Sequence, residues 1–103
     1  MNERRILALL KTGQVAFRYP LKVHFAAVEG TGDFGVSGPK RYFKRAVKRN
    51  LLKRRVRESF RQNAVRLGGK SYDIFVYYVG KQEEAYERID KSLAQVLDDL
   101  AAS

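Results

Sequence analysis

Residues 40–61 read KRYFKRAVKRNLLKRRVRESFR, and the rest of the chain is arranged around them. The stretch holds eleven of the 21 Lys and Arg and one acid, Glu58, so with a formal net charge of +10 the remainder of the chain is neutral. Leu52, Val56 and Phe60 recur at helical spacing, continue to Leu67 with Asn63 between them, and mark a narrow apolar stripe. Asn50, Lys53, Arg54, Arg57 and Arg61 share that spacing on another face, and Lys53 and Arg57 adjoin the stripe. One side packs, and the other is left for a ligand. Like charges three and four residues apart cost ~0.2–0.5 kcal/mol each, so such a face is a burden until a polyanion meets it.

Upstream, residues 3–11 place Ile6, Leu7, Leu9 and Leu10 at helical spacing, and Gly13 caps the end. Residues 15–28 alternate as a strand, with Leu21, Val23 and Phe25 on one face and Lys22, His24 and Ala26 on the other. Pro20 implies an edge position or a break between two strand pieces. Gly30-Thr31-Gly32-Asp33 is a turn signal that should fold a short strand, residues 34–37, back as a hairpin, and Gly38-Pro39 ends it. Lys40 to Arg45 then lead into the long helix. Downstream, Gly68-Gly69 terminates that helix, residues 72–79 form a nearly continuous apolar strand, and Tyr86, Ile89, Leu93, Val96, Leu97 and Leu100 stripe a last helix. The expected order is α-β-β-β-α-β-α. That is an α+β fold with a sheet of about four strands, three helices and one split βαβ unit, in a single domain over residues 1–103.

Composition narrows the function. An apolar share of 45% is that of a folding domain, not a disordered basic tail. With no cysteine there are no disulfides, thiolate nucleophiles or Cys-ligated zinc. No apolar run approaches the ~20 residues that span a bilayer, and the N-terminal apolar segment is too short for a secretory signal, so a cytoplasmic location is expected. Nucleic acid is the expected partner and a membrane is not, because the basic helix lacks a broad bulky apolar face. Charge leaves open whether Arg and Asn read DNA bases in a major groove or meet phosphates and 2′-hydroxyls of structured RNA. The acids Glu29, Asp33, Glu58 and Asp73 are scattered, whereas two-metal nuclease chemistry needs a carboxylate cluster. His24 is the lone histidine, and Phe17 and Tyr19 flank Arg18 as candidates to stack on unpaired nucleotides.

Residues 46–58, AVKRNLLKRRVRE, resemble the signature of the protein component of bacterial ribonuclease P: Arg-Asn, two residues, Lys-Arg, two residues, Arg-Glu. The likeness extends upstream through residues 36–37 and 39–44, downstream through Phe60-Arg61, and to the flanking elements in order and length. It implies a non-catalytic subunit of an endoribonuclease that removes the 5′ leader of precursor tRNA, with no active site of its own. Catalysis and Mg2+ would belong to the RNA subunit, and no cofactor to the protein. The implied partners are the catalytic RNA and precursor tRNA, with no obligate protein partner. Arg49, Asn50, Lys53, Arg54 and Arg57 carry over as RNA contacts, flanked by Lys40, Arg41, Lys44, Arg45 and Arg61. The single-stranded leader would lie in a cleft between sheet and helices, where Phe17, Tyr19 and His24 are this chain's candidates. The resemblance also implies a left-handed crossover between the parallel strands that bracket the long helix. Three features depart from the family: Leu51 stands where a third base is usual, Ile6 and Leu10 stand where aromatics are common, and the lead-in to the first helix is short.

Overall fold

The computed structural model describes residues 1–38 and 40–103. Helix α1 (Glu3–Thr12) precedes strands β1 (Gln14–Arg18), β2 (Leu21–Ala27) and β3 (Phe34–Ser37). The long helix α2 (Ala46–Asn63) runs into a 3-10 turn (Ala64–Leu67), strand β4 (Tyr72–Tyr78) and helix α3 (Tyr86–Ala102). The α+β order expected from the sequence is the one observed. The four strands form one mixed sheet in the order β1-β2-β4-β3.

Local chemistry sets the element ends. Asn2 caps α1 by accepting the Arg5 N–H at 2.9 Å, and Gly13 closes it by donating to Leu9 O at 2.8 Å. The long helix regularises only to Asn63, and its last turn tightens to 3-10 before Gly68 and Gly69 adopt φ of 63° and 86°. Those left-handed values strain any residue with a Cβ, which is why the break falls at a Gly-Gly pair.

The sheet has two unlike faces. On the inner face Leu21, Val23, Val36, Ile74, Val76 and Tyr78 pack against Leu52 and Val56 of α2 and Ile89, Leu93, Val96, Leu97 and Leu100 of α3. Each such side chain fully withdrawn from water contributes about 1.5–3 kcal/mol, so this cluster is the main source of stability. Asn63, an apparent flaw in the α2 stripe, is buried at the helix–helix contact. There Asn63 Nδ2 and Ser59 Oγ both donate to Asp90 Oδ1 at 2.7 Å. The polar break in the stripe is therefore a specific α2–α3 tie. On the outer face α1 crosses β2 and β4, and Arg5 grips Asp73 through Nε at 3.1 Å and Nη2 at 2.6 Å.

The hairpin is not where the turn signal placed it. Pro20 does break residues 15–28 in two, and the pieces β1 and β2 pair antiparallel with each other. The segment 34–37, expected to fold back on β2, instead crosses the end of β4 and pairs parallel with its far side. Two features permit this. Gly32 approaches the Tyr72 carbonyl so closely that a Cβ there would collide with it, and Ile74 N donates to Asp33 O at 2.9 Å to start the new ladder. With β2 on its other edge β4 becomes an interior strand, and its near-continuous hydrophobic run is covered by the α2–α3 core on one face and by α1 on the other. The βαβ unit β3-α2-β4 is present with its two strands adjacent, not split by an intervening strand. Pro39, read with Gly38 as the end of β3, lies outside the described residues.

Candidate nucleic-acid interface

Helix α2 sorts its bases by face. Asn50, Arg54, Arg57 and Arg61 are exposed along one strip, with Lys53 half-buried beside it. Among the described residues, none of Lys44, Arg45, Lys53, Arg54 and Arg57 has a carboxylate within ion-pair distance, while Arg61 is held by Glu58 one turn back. Lys48 and Arg55 point another way: both reach Glu83, at 2.6 and 3.2 Å, and Arg55 also donates to Glu84 O at 2.7 Å. The Lys48 ammonium holds the Glu83 carboxyl below the usual carboxylate range. These two bases fasten the segment before α3, so the positive strip is left to Asn50, Lys53, Arg54, Arg57 and Arg61.

The start of α2 is built against its own dipole. Arg45 provides no side-chain cap, no acid sits in the first turn, and Lys44, Arg45, Lys48 and Arg49 crowd the positive end. Each misplaced charge costs about 0.3–1 kcal/mol by itself, and an anion placed there reverses the sign. Arg49 does not extend outward with the rest. It is half-buried, and its Nη1 donates to Phe43 O at 2.7 Å and Lys44 O at 2.8 Å. Phe43 in turn is buried against Tyr78, ring centroids 5.9 Å apart. The loop carrying Lys40, Arg41, Lys44 and Arg45 is thereby clamped in shape. Arg49→Ala should cost about 1–2 kcal/mol of stability and loosen this loop. Faster tryptic cleavage after Lys44 and Arg45 would register it, and an unchanged rate would show that Arg49 is not the clamp.

A second site lies on the outer face of the sheet. The register aligns Phe17 with Lys22 and Lys22 with Tyr77, and in the next row Val15 with His24 and His24 with Phe75. Together with Leu10 of α1 and Arg41 and Tyr42 of the loop, Lys22, His24 and Tyr77 line a cleft of 640 Å³. The Arg41 guanidinium and the Lys81 ammonium sit 5.6 and 5.7 Å from the Tyr42 ring centroid. Bases and aromatics are thus interleaved, the combination that holds unpaired nucleotides by phosphate contact and stacking.

His24 lies in the floor of this cleft, 8% exposed, edge-on to Tyr77, with Nδ1 buried and without a hydrogen-bond partner among the described residues. Burial and then the Lys22 ammonium lower its pKa below 6.5. The unfolded chain therefore binds more protons than the folded one below that value. The His24 contribution is complete above pH 6.5 and is lost as pH falls through the lowered folded pKa. Urea midpoints measured on both sides of pH 6.5 should show a fall that His24→Gln flattens; an equal fall in the variant would assign the slope to other groups.

Of the leader candidates, Phe17 is 62% exposed on the outer sheet face beside Lys22, one row from His24. Tyr19 sits at the β1–β2 tip, turned toward α3, where the Arg88 guanidinium lies 5.2 Å from its ring centroid. Sequence reasoning passed over Lys22, Tyr42 and Tyr77 as cleft residues. Strand alternation already put Lys22 on the His24 face, but Tyr77 and Tyr42 reach it only through the β2–β4 register and the clamped loop.

A family model described as ribonuclease P matches residues 1–101, which take in both the basic helix and the cleft. The chain belongs to the ribonuclease P family. A curated relative, the ribonuclease P protein component of Nitrosococcus oceani, is 56% identical over 36 residues, covering 35% of this chain and 30% of the relative's length. The solved structure of the RNase P protein from Thermotoga maritima is similar at 26% identity with a TM-score of 0.83, covering 96% of this chain and 94% of that one. The Staphylococcus aureus RNase P protein shares the fold, at 23% identity and a TM-score of 0.80, over 94% of this chain and 89% of that one. The matched residues run from α1 into α3 and so include both the α2 strip and the outer sheet face. Among the described residues no helix is long and apolar enough to cross a membrane.

Proposed function

We propose that this chain is the protein subunit of ribonuclease P, working in the cytoplasm with a catalytic RNA to remove the 5′ leader of precursor tRNA. The observation that carries the reading is the pairing of two surfaces: the α2 strip, whose Lys53, Arg54 and Arg57 have no carboxylate partner among the described residues, and the aromatic-lined cleft, joined by the clamped loop of residues 40–45. The strip docks on the catalytic RNA through Asn50, Lys53, Arg54, Arg57 and Arg61, with Lys40, Arg41, Lys44 and Arg45 adding phosphate contacts. Arg49 acts from beneath by holding the loop. The leader lies in the cleft against Phe17, Lys22, His24, Tyr42 and Tyr77.

The chemistry of leader removal, with its magnesium ions, belongs to the RNA. The acids nearest the outer face, Asp33 and Asp73, are both engaged by Arg5, at 3.8 and 2.6 Å. The protein contributes orientation, holding two polyanions together while its cations screen their repulsion. Replacing any one base that meets a phosphate should flatten the salt dependence of RNA binding by about 0.7–0.9 log units per log unit of salt.

The test is cleavage of a precursor tRNA by the cognate catalytic RNA at low magnesium, with and without the protein. Stimulation supports the reading. Tight, salt-sensitive RNA binding without stimulation would leave a nucleic-acid-binding module with no processing role, and cleavage by the protein alone would make it an autonomous nuclease.

A further inference from the structure

We propose that a leader long enough to leave the cleft turns over the β1–β2 tip and is held by a second single-strand site made of Tyr19, Arg88 and Lys91. The inference rests on the leader-binding reading above and extends it to nucleotides beyond the cleft. Arg18, Tyr19, Arg88, Lys91, Ser92 and Gln95 surround a hollow of 280 Å³ between the hairpin tip and the exposed face of α3. Tyr19 remains 42% exposed although Arg88 covers part of its ring, so an aromatic face is open beside a guanidinium. The tip is held in place: Ser92 Oγ donates to Tyr19 O at 2.6 Å, and Val79 N donates to Pro20 O at 2.8 Å.

Charge singles out this spot. The chain outside residues 40–61 is neutral overall, yet three bases gather here. Of the acids on this part of α3, Asp90 is turned to α2, where Ser59 and Asn63 hold it, Asp99 is engaged by Arg18 at 3.2 Å, and Glu87 remains; among the described residues neither Arg88 nor Lys91 has a carboxylate at ion-pair distance. An open aromatic face flanked by two unpaired cations fits a single-stranded polyanion with stackable bases better than a peptide or a lipid headgroup.

Continuity with the cleft names which strand. Val79 lines the cleft and is hydrogen-bonded to Pro20, the neighbour of Tyr19, so the two sites are separated only by the tip of the hairpin. β1 is an edge strand, so no further strand blocks the way round. A strand leaving the cleft past Val79 meets Tyr19 next, then Arg88 and Lys91.

The experiment measures equilibrium binding of precursor tRNAs to the complex reconstituted with catalytic RNA, using uridine-rich leaders of about four and about twelve nucleotides, a range set by usual single-strand site sizes. The wild-type complex should bind the longer leader about tenfold more tightly. Tyr19→Ala and the double variant Arg88→Glu/Lys91→Glu should each lose most of that advantage and leave the short leader unchanged. Retention of the advantage in both variants, or its absence in the wild type, overturns the proposal. So does an equal loss for both leaders, which would place the patch on another part of the RNA. If the wild-type protein tightens neither precursor relative to catalytic RNA alone, the leader-binding reading itself fails, an outcome distinct from the others. Thermal midpoints of the free variants close to wild type show that the losses do not come from misfolding.

Discussion

The double variant Arg54→Glu/Arg57→Glu should lose stimulation of precursor cleavage at low magnesium while its free fold becomes slightly firmer. Both side chains are exposed on the α2 strip and, among the described residues, neither contacts a carboxylate. Nothing in the fold depends on their charge. Removing two phosphate contacts should shallow the log–log salt dependence of RNA binding by roughly 1.5 units, and two new repulsions weaken it further. At moderate salt we expect affinity to fall on the order of a hundredfold. In the free protein Arg57→Glu turns its repulsions with Lys53 and Arg61 into attractions, worth ~0.2–0.5 kcal/mol per pair, and these outweigh the new repulsion between residue 54 and Glu58, so the urea midpoint should rise slightly. Opposite signs for binding and stability are the diagnostic result. A variant that binds RNA as well as wild type would move the docking surface off α2, and one that unfolds would show that these side chains carry structure.

Leu93→Ala should bring the free protein close to unfolding and leave the RNA-bound protein folded. Leu93 is fully buried where α3 meets the inner sheet face and α2. Truncation there costs about 2–5 kcal/mol, against a total of about 5–15 kcal/mol for a domain of this kind. The thermal midpoint should fall by about 10–40 °C, since each kcal/mol shifts a chain of this length by roughly 4–8 °C. The wild-type margin is already reduced by the self-repulsion of the basic stretch. Catalytic RNA binds only the folded form, so at about a hundred times its dissociation constant it should restore roughly 2.7 kcal/mol. A midpoint that drops without RNA and recovers with it would establish that coupling. A drop of less than ~1 kcal/mol would mean that α3 is not the clamp on the core that its burial implies.

The functional strip was legible before the fold because its signal is local. Charges at helical spacing need only the helix to share a face, and α2 forms where the apolar stripe predicted it. Which bases are engaged elsewhere was not legible. Lys48 and Arg55 look like their neighbours in sequence and differ only because Glu83, about thirty residues away, comes within reach. Asn63 likewise reads as an interruption until Asp90 arrives from α3. The separation of Phe17 from Tyr19 follows from the hairpin, which keeps one on the open face and turns the other to α3.

By itself the sequence determined the element types and their order, the faces of α2, the inner and outer faces of β2, and the excess positive charge, because each depends on residues within a few positions of one another. Tertiary structure decided the partner of β3, the clamping of the loop by Arg49, and the assembly of the cleft from α1, β2, β4 and that loop. Strand pairing is not encoded by either strand alone: β3 is as able to form a hairpin with β2 as to lie parallel to β4. The choice went to the arrangement that puts the apolar β4 inside the sheet, where both its edges are hydrogen-bonded and its inner side chains leave water.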